Sequence, residues 1–122
     1  LYCKREKNYQ KAAEYYQKAI LLMNDRIINP HFFVFSDDLE WAKTLIFPKN
    51  TTFVESGFKL KNFQELVIMS RCKYNITANS TFSWWGAWLN NNHAKIIITP
   101  QKWYISDKIR IDDLIPEQWI KI

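Results

Sequence analysis

The sequence has 122 residues, of which 48% are apolar, so it is long enough to bury the core of one ordinary domain. Its uninterrupted apolar runs are only a few residues long, far below the roughly 20 needed to cross a bilayer, which excludes a membrane-spanning helix. Two cysteines, Cys3 and Cys72, are too few for a disulfide framework or a zinc site, and no secretory signal is visible. We therefore expect reduced thiols in a single cytoplasmic domain.

The net charge of +5 is unevenly distributed along the chain. No acid occurs from Leu66 to Ser106, a hydroxyl-rich segment whose cations are Arg71, Lys73, Lys95 and Lys102. A locally positive field around hydroxyl groups favours a compact anion such as a phosphate. The alternative is that this density of cations is ordinary and the missing acids are chance.

The first half of the chain begins with an amphipathic helix at residues 8–23. Its apolar stripe consists of Tyr9, Ala12, Ala13, Tyr16, Ala19, Ile20 and Met23. After the breaker Asn29-Pro30, the aromatic and branched run His31–Phe35 predicts a strand buried on both faces. Asp37 and Asp38 then begin a short helical stretch that continues to Leu45.

Strands and helices keep alternating in the second half. Strands are predicted at 51–55, 74–78 and 95–99, and helices from Asn62 onwards and at 81–91. In the helix that Asn62 opens, Asn62 and Glu65 stand at capping-box spacing, before Phe63, Leu66, Val67 and Ser70. This order predicts an α/β fold with a Rossmann-like parallel sheet flanked by helices on both faces. A Gly-rich dinucleotide fingerprint is missing, which excludes an ordinary NAD or FAD domain.

The helix at 81–91 is rich in tryptophan. Phe82, Trp85, Gly86 and Leu89 share one face and predict the buried stripe. Trp84 and Trp88 form a separate i, i+4 pair that suits a neighbouring domain or a sugar. A glycine in mid-helix costs about 1 kcal/mol, which predicts close packing of the helix against the sheet at Gly86.

Asn79, Ser80 and Thr81 fall where a predicted strand runs into this helix, at the edge of an α/β sheet where ligands bind. The helix N-terminus offers unpaired backbone N–H groups, and the hydroxyls of Ser80, Thr81 and Ser83 add donors for a phosphate. The alternative is an ordinary N-cap, which explains Ser80 but gives no reason for Ser83.

Ser36, Asp37 and Asp38 end the first strong strand, so they lie on the same edge of the sheet. A carboxylate there can accept two hydrogen bonds from the edge of a guanine ring. The alternative is a helix N-cap followed by an acid that suits the helix dipole. His31 and His93 have no companion at metal-ligand spacing, so no metal site is expected.

Several motifs resemble the bacterial α-1,2-fucosyltransferases of glycosyltransferase family 11. The most specific is Ala78-Asn79-Ser80-Thr81-Phe82-Ser83-Trp84-Trp85-Gly86-Ala87-Trp88-Leu89-Asn90. Further motifs are Tyr15-Tyr16-Gln17-Lys18-Ala19-Ile20, Phe33-Val34-Phe35-Ser36-Asp37-Asp38-Leu39-Glu40-Trp41, Met69-Ser70-Arg71-Cys72-Lys73, Lys95-Ile96-Ile97-Ile98-Thr99-Pro100 and Trp119-Ile120-Lys121-Ile122. The resemblance therefore covers most of the chain.

The resemblance implies a metal-independent, inverting transfer of L-fucose from GDP-β-L-fucose to a glycan hydroxyl, giving an α-1,2 linkage in lipopolysaccharide biosynthesis. Residues 1–122 would form one GDP-fucose-binding Rossmann-like domain, the C-terminal half of a GT-B-like enzyme whose N-terminal acceptor domain is absent. By motif, Ser36, Asp37 and Asp38 would lie near the guanine, and Ser80, Thr81, Phe82 and Ser83 would hold the pyrophosphate. The implied location is cytoplasmic or peripheral at the inner face of the bacterial membrane.

One family element is missing from the sequence. A His-x-Arg-x-x-Asp segment, whose arginine neutralises the leaving diphosphate, is expected before the first helix, and Lys4-Arg5-Glu6 does not replace it. The catalytic residues therefore stay unassigned. We expect these 122 residues to bind GDP weakly and to transfer no sugar by themselves.

Three other classes of protein fit parts of the sequence less well. Residues 8–20 also resemble one helix of a tetratricopeptide repeat, which would make the chain an interaction module, but no second copy follows. A carbohydrate-binding module would use the six tryptophans as stacking platforms, yet such modules are usually β-sandwiches. Nucleic-acid binding is disfavoured because the positive excess is modest.

Overall fold

The computed structural model describes residues 9–54, 62–103 and 113–122. The helices are α1 (Tyr9–Arg26), α2 (Leu39–Ala42), α3 (Asn62–Arg71) and α4 (Thr81–Trp88). The strands are β1 (Phe32–Val34), β2 (Thr51–Phe53), β3 (Asn75–Ile76), β4 (Ile97–Thr99) and β5 (Ile120–Lys121). The predicted α/β class is confirmed, although the strands are shorter than their predicted ranges.

All described strands pair in parallel. β1 pairs with β2, and β4 lies between β3 and β5, with Ile98 opposite both Ile76 and Ile120. Parallel neighbours need a long crossover between them, which explains why helices alternate with strands along the chain. The one sheet expected from the sequence is, over the described residues, two hydrogen-bonded sheets of two and three strands.

Helices and loops cover both faces of the three-stranded sheet. Adjacent residues of a strand point to opposite faces, so Ile97 and Ile98 of β4 belong to two different clusters. Ile98 packs with Tyr15, Ala19 and Met23 of α1. Ile97 packs with Ala87 of α4, Trp103, Ile115 and Trp119. This double coverage is the layered arrangement that the sequence predicts.

The predicted stripe of α1 is right for most of its positions, since Ala12, Ala19, Ile20 and Met23 are buried. Tyr15 was not expected to face inward but is buried, whereas its predicted neighbour Tyr16 is only partly buried. The hydroxyl of Tyr15 donates to the carbonyl oxygen of Thr77 at 2.7 Å and lies 3.3 Å from that of Ile98. Two backbone acceptors, one directly after β3 and one in the middle of β4, therefore accommodate the hydroxyl of this buried side chain.

The predicted buried face of α4 is right at Gly86 but wrong at Trp85 and Leu89. Trp85 is 49% exposed and Leu89 is also exposed, whereas Ala87 is buried and Trp84 packs on the cluster beside it. The indole N–H of Trp84 donates to the carbonyl oxygen of Leu114 at 2.9 Å, so burial leaves it paired. The expected pair is confirmed, because the rings of Trp84 and Trp88 stack with centroids 5.1 Å apart.

Gly86 packs closely, as predicted, but against a helix rather than the sheet. A Cβ placed on Gly86 would lie 2.9 Å from Cβ of Met69 in α3. On α3, Phe63 is 61% exposed and Val67 is also exposed. α3 therefore contacts α4 through the side that carries Met69.

β1 is less buried than its aromatic composition predicts. Phe33 is 49% exposed, while Phe32 and Val34 on the other face are partly buried. One face of β1 is thus open, in contrast to β4, whose three residues are all buried. Over the described residues, no helix has both the length and the apolar character needed to cross a membrane.

Candidate functional site

The two predicted parts of the site lie at the carboxyl edge of the strands. Ser36–Asp38 follow β1 and Asn79–Ser83 follow β3. The N-terminal half of α1 contacts both regions, because the hydroxyl of Tyr9 lies 3.5 Å from Oδ2 of Asp38 and that of Tyr15 bonds the carbonyl of Thr77. Six residues of helix span about 9 Å. α1 therefore contacts both the loop after β1 and the residue that directly follows β3.

The carboxylate and the backbone N–H of Asp38 both make hydrogen bonds to neighbouring residues. It is the N-cap of α2, where its Oδ1 accepts from the backbone N–H of Trp41 at 3.1 Å. Its own backbone N–H donates to Oγ of Ser36 at 2.9 Å. The helix-cap alternative thus accounts for Asp38 and Ser36. Asp37 lies between them and is exposed, which makes its carboxylate the more accessible of the two.

Ser80 and Ser83 both stabilise the turn into α4. Ser80 is the N-cap, and its Oγ lies 3.5 Å from the backbone N of Ser83. Oγ of Ser83 accepts from the backbone N–H of Ala78 at 3.1 Å and donates to the carbonyl oxygen of Ser80 at 3.0 Å. A hydroxyl has a single hydrogen to donate. Ser83 must therefore give up a turn bond before it can donate to a phosphate.

Two backbone N–H groups at the start of α4, those of Thr81 and Phe82, are available as donors. The first turn of a helix leaves backbone N–H groups without intrahelical partners. Over the described residues, the N–H groups of Thr81 and Phe82 have no acceptor, and Thr81 is exposed with its hydroxyl. These two amides carry the partial positive charge of the helix end. The arrangement can bind an anion.

Asn79 connects this turn to the loop after β4. Its Nδ2 lies 3.4 Å from the carbonyl oxygen of Trp103, and among the described residues its buried Oδ1 has no hydrogen-bond partner. The indole N–H of Trp103 donates to Oγ1 of Thr99 at 3.2 Å, and both residues are buried. Thr99 and Trp103 were not among the predicted site residues, because only the fold brings them close to Asn79.

The cations do not surround this site as the charge pattern suggested. Lys73 and Lys95 precede β3 and β4, and Arg71 ends α3, so these three lie at the amino edge of the strands. The ammonium of Lys95 is 2.7 Å from the carbonyl oxygen of Asn90. Lys102, after β4, is the member of the set on the carboxyl side. The helix end and its hydroxyls, rather than a cluster of lysines, supply the positive character.

Two shallow grooves open at the amino edge, away from these residues. One of about 290 Å³ is lined by Trp88, His93, Lys95, Ile97, Pro116, Gln118 and Trp119. The other, of about 390 Å³, is lined by Asn24, Ile27, Asn29, Pro30, Pro48, Lys49 and Asn50. Neither includes a residue of the predicted site.

Cys72 also lies near the amino edge. Burial raises the pKa of its thiol, and its Sγ lies 3.5 Å from the carbonyl oxygen of Ile68. A thiol in this state is a poor nucleophile. Within the described ranges, no three His, Cys, Asp or Glu side chains are grouped in a way that would hold a metal ion.

Comparisons with known proteins agree with the motif resemblance. An α-1,2-colitosyltransferase of Escherichia coli is 43% identical over 113 residues, which are 88% of this chain and 38% of that protein. The O-antigen biosynthesis glycosyltransferase WbnK of E. coli is 36% identical over 110 residues, 89% of this chain and 36% of that protein. The chain thus spans little more than a third of the length of these relatives. No solved structure matches it.

The family model described as "Glycosyl transferase family 11" matches residues 3–122, nearly the entire chain. Together with the two relatives, this match shows that the chain belongs to glycosyl transferase family 11.

Proposed function

We propose that the chain is the donor-binding part of an α-1,2-fucosyltransferase that uses GDP-β-L-fucose. The observation that carries the proposal is the start of α4, where the N–H groups of Thr81 and Phe82 are available to an anion. Helix N-termini at the carboxyl edge of α/β sheets are common sites for nucleotide phosphates. The Rossmann-like, GT-B-like architecture of the whole enzyme is part of this proposal.

In this proposal, the start of α4 binds the diphosphate of the nucleotide and the loop after β1 binds its guanine. The diphosphate would accept from the amides of Thr81 and Phe82 and the hydroxyl of Thr81. The guanine would lie towards Asp37, whose carboxylate can accept two N–H donors side by side. Asn79, Ser80 and Ser83 would hold the turn in shape. Ser36 and Asp38 would hold the loop that presents Asp37.

The reaction that fits these groups is a direct displacement. A glycan hydroxyl attacks C1 of fucose on the face opposite the diphosphate, the C1–O bond to GDP breaks, and the hydroxyl proton passes to a base. Inversion converts the β-linked donor into an α-linked product. The partial positive charge at α4 stabilises the charge that develops on the leaving diphosphate. No metal is required for this step in our proposal.

A second candidate donor sugar is colitose. It is favoured by the relative named α-1,2-colitosyltransferase, at 43% identity. Colitose is fucose without the hydroxyl on C3, so the same nucleotide contacts would serve either donor. We propose the fucosyl donor first, and comparison of the two GDP-sugars as substrates of the protein decides between them.

The acceptor is a glycan, and we propose that the group selecting it and the catalytic base lie in the part of the relatives that this chain does not span. These 122 residues would then bind the donor and transfer nothing by themselves. Incubation with GDP-fucose and galactoside acceptors, followed by mass spectrometry, tests this expectation. Formation of a fucosylated product by these 122 residues would show it to be wrong. A cytoplasmic location or peripheral contact with the inner membrane face completes the proposal.

Isothermal titration calorimetry with GDP, GTP, ADP and UDP tests the donor assignment. We expect the protein to bind GDP more tightly than ADP or UDP, because the guanine edge offers paired N–H donors that adenine and uracil lack. Asp37→Asn is the variant that tests the base contact, since an amide cannot accept both donors with its two atoms. The variant should lose the preference for GDP over ADP. Equal affinity of the wild-type protein for all four nucleotides would refute the assignment.

A further inference from the structure

Tyr9, the first residue of α1, has no role in the buried core. It is 43% exposed, whereas Ala12 and Tyr15 further along the helix are buried. Its hydroxyl lies 3.5 Å from Oδ2 of Asp38, at the loop that follows β1. A large aromatic side chain is thus held open at the edge of the candidate site.

The position of the Tyr9 ring is fixed from two directions. Its centroid is 5.4 Å from that of Trp41, at an interplanar angle of 45°. Trp41 is itself tied to the loop, because its backbone N–H donates to the Asp38 carboxylate and its ring meets that of Tyr16 at 6.3 Å. The two aromatic rings and the acidic loop therefore form one unit at this edge.

A half-exposed aromatic ring beside an acidic loop has the composition of a nucleobase site. Purine rings stack on aromatic side chains whatever their edge pattern, because every base has a π face. A carboxylate discriminates between bases by their hydrogen-bond donors. The two contributions are separable, since stacking supplies affinity and the acid supplies selectivity.

We infer that Tyr9 is the stacking residue for the purine base of the nucleotide-sugar donor. This inference rests on the proposed function and adds a binding residue outside the motifs of the sequence analysis. With the phosphates at α4, the base would lie towards the N-terminal end of α1, the helix whose Tyr15 contacts the carbonyl of Thr77 directly after β3. Trp41 supports the Tyr9 ring from the protein side.

The test compares two ligands that differ only in the presence of the nucleoside. Inorganic pyrophosphate reports the phosphate site, and GDP reports the phosphate and base sites together. Calorimetry on the wild-type protein, Tyr9→Ala and Tyr9→Phe measures both ligands. Trp88→Ala serves as the matched control, because Trp88 is a similarly exposed helical aromatic at the amino edge. Circular dichroism on each variant verifies its helix content.

We expect Tyr9→Ala to weaken GDP binding by about 5- to 150-fold, the range that one base–aromatic stack contributes. Pyrophosphate affinity should stay within about twofold of the wild type in every variant. Tyr9→Phe keeps the ring and should retain most of the GDP affinity, and Trp88→Ala should retain it as well.

Three results would overturn the inference. The first is unchanged GDP affinity in Tyr9→Ala. The second is an equal loss for pyrophosphate and GDP, which would place the effect at the phosphates. The third is an equal loss in Tyr9→Phe and Tyr9→Ala, which would assign the effect to the hydroxyl. If the wild-type protein binds pyrophosphate but not GDP, the proposed function fails and the stacking role fails with it. The three results for the Tyr9 variants would overturn the stacking role of Tyr9 and leave the proposed function standing.

Discussion

Ser83 and Thr81 look equivalent in the sequence, but in the structure the hydroxyl of Ser83 bonds within the turn and Thr81 is exposed. Replacing Ser83 by alanine removes the acceptor of the Ala78 N–H at 3.1 Å and the donor to the Ser80 carbonyl at 3.0 Å. Two partly buried hydrogen bonds contribute about 2 kcal/mol to folding. The better helix propensity of alanine returns about 0.5 kcal/mol. We therefore expect Ser83→Ala to lower the free energy of unfolding by about 1.5 kcal/mol.

Thr81→Ala is the matched variant. Thr81 is exposed at the first position of α4, and its hydroxyl takes no part in the hydrogen bonds of the turn. Its removal should leave the free energy of unfolding unchanged or slightly raised. A hydroxyl that donates to a charged phosphate contributes about 1.5–3 kcal/mol, so GDP affinity should fall at least about tenfold. Ser83→Ala should weaken GDP binding much less.

Urea unfolding followed by circular dichroism measures the first quantity, and calorimetric titration with GDP measures the second. The two variants should separate, with a stability loss in Ser83→Ala and a binding loss in Thr81→Ala. The opposite pattern, with Ser83→Ala fully stable but deficient in GDP binding, would refute our assignment of Ser83 to the turn. It would instead support the direct phosphate contact expected from the motif.

Three further substitutions test the packing that supports the site. Gly86→Ala should lower the free energy of unfolding by about 1–3 kcal/mol, because the new Cβ would approach Cβ of Met69 to 2.9 Å. An unchanged melting temperature would contradict this close packing. Tyr15→Phe removes a buried hydroxyl with two carbonyl acceptors and should cost about 1–2 kcal/mol in urea unfolding, whereas a neutral effect would mean that the acceptors are satisfied without it. Thr99→Val leaves the buried indole N–H of Trp103 without an acceptor and should lower the free energy of unfolding by about 1–3 kcal/mol. Thr99→Ser keeps the hydroxyl and should recover most of that loss. Equal free energies of unfolding for the two variants would argue against the hydrogen bond.

The sequence predicted the order and class of the elements because alternation of strands and helices is a local signal. The stripe of α1 was recoverable from helical spacing except at its tyrosines. Tyr9 and Tyr16 were predicted to face inward, but Tyr9 is exposed and Tyr16 is only partly buried. The burial of Tyr15 depends on carbonyls about 60 and 80 residues away. The location of Asn79–Ser83 followed from one rule, that ligands bind where parallel strands end.

Helical spacing did not predict the buried face correctly where apolar residues occur on more than one face of a helix. In α4, tryptophans occupy more than one face, and only the position of Leu114 and Trp119 decides that Trp84 turns inward. The charge pattern failed for a related reason. Residues close in sequence are carried to opposite edges of the sheet, so Lys73 and Asn79 are separated by the length of β3.

The central claim is that a guanine nucleotide binds with its phosphates at the start of α4. Nuclear magnetic resonance of the ¹⁵N-labelled protein during titration with GDP tests it most directly. We predict that the amide signals of Thr81 and Phe82 shift most, while those of His93 and Lys95 at the amino edge do not move. Shifts confined to the amino edge, or none at α4 when GDP is bound, would contradict the account.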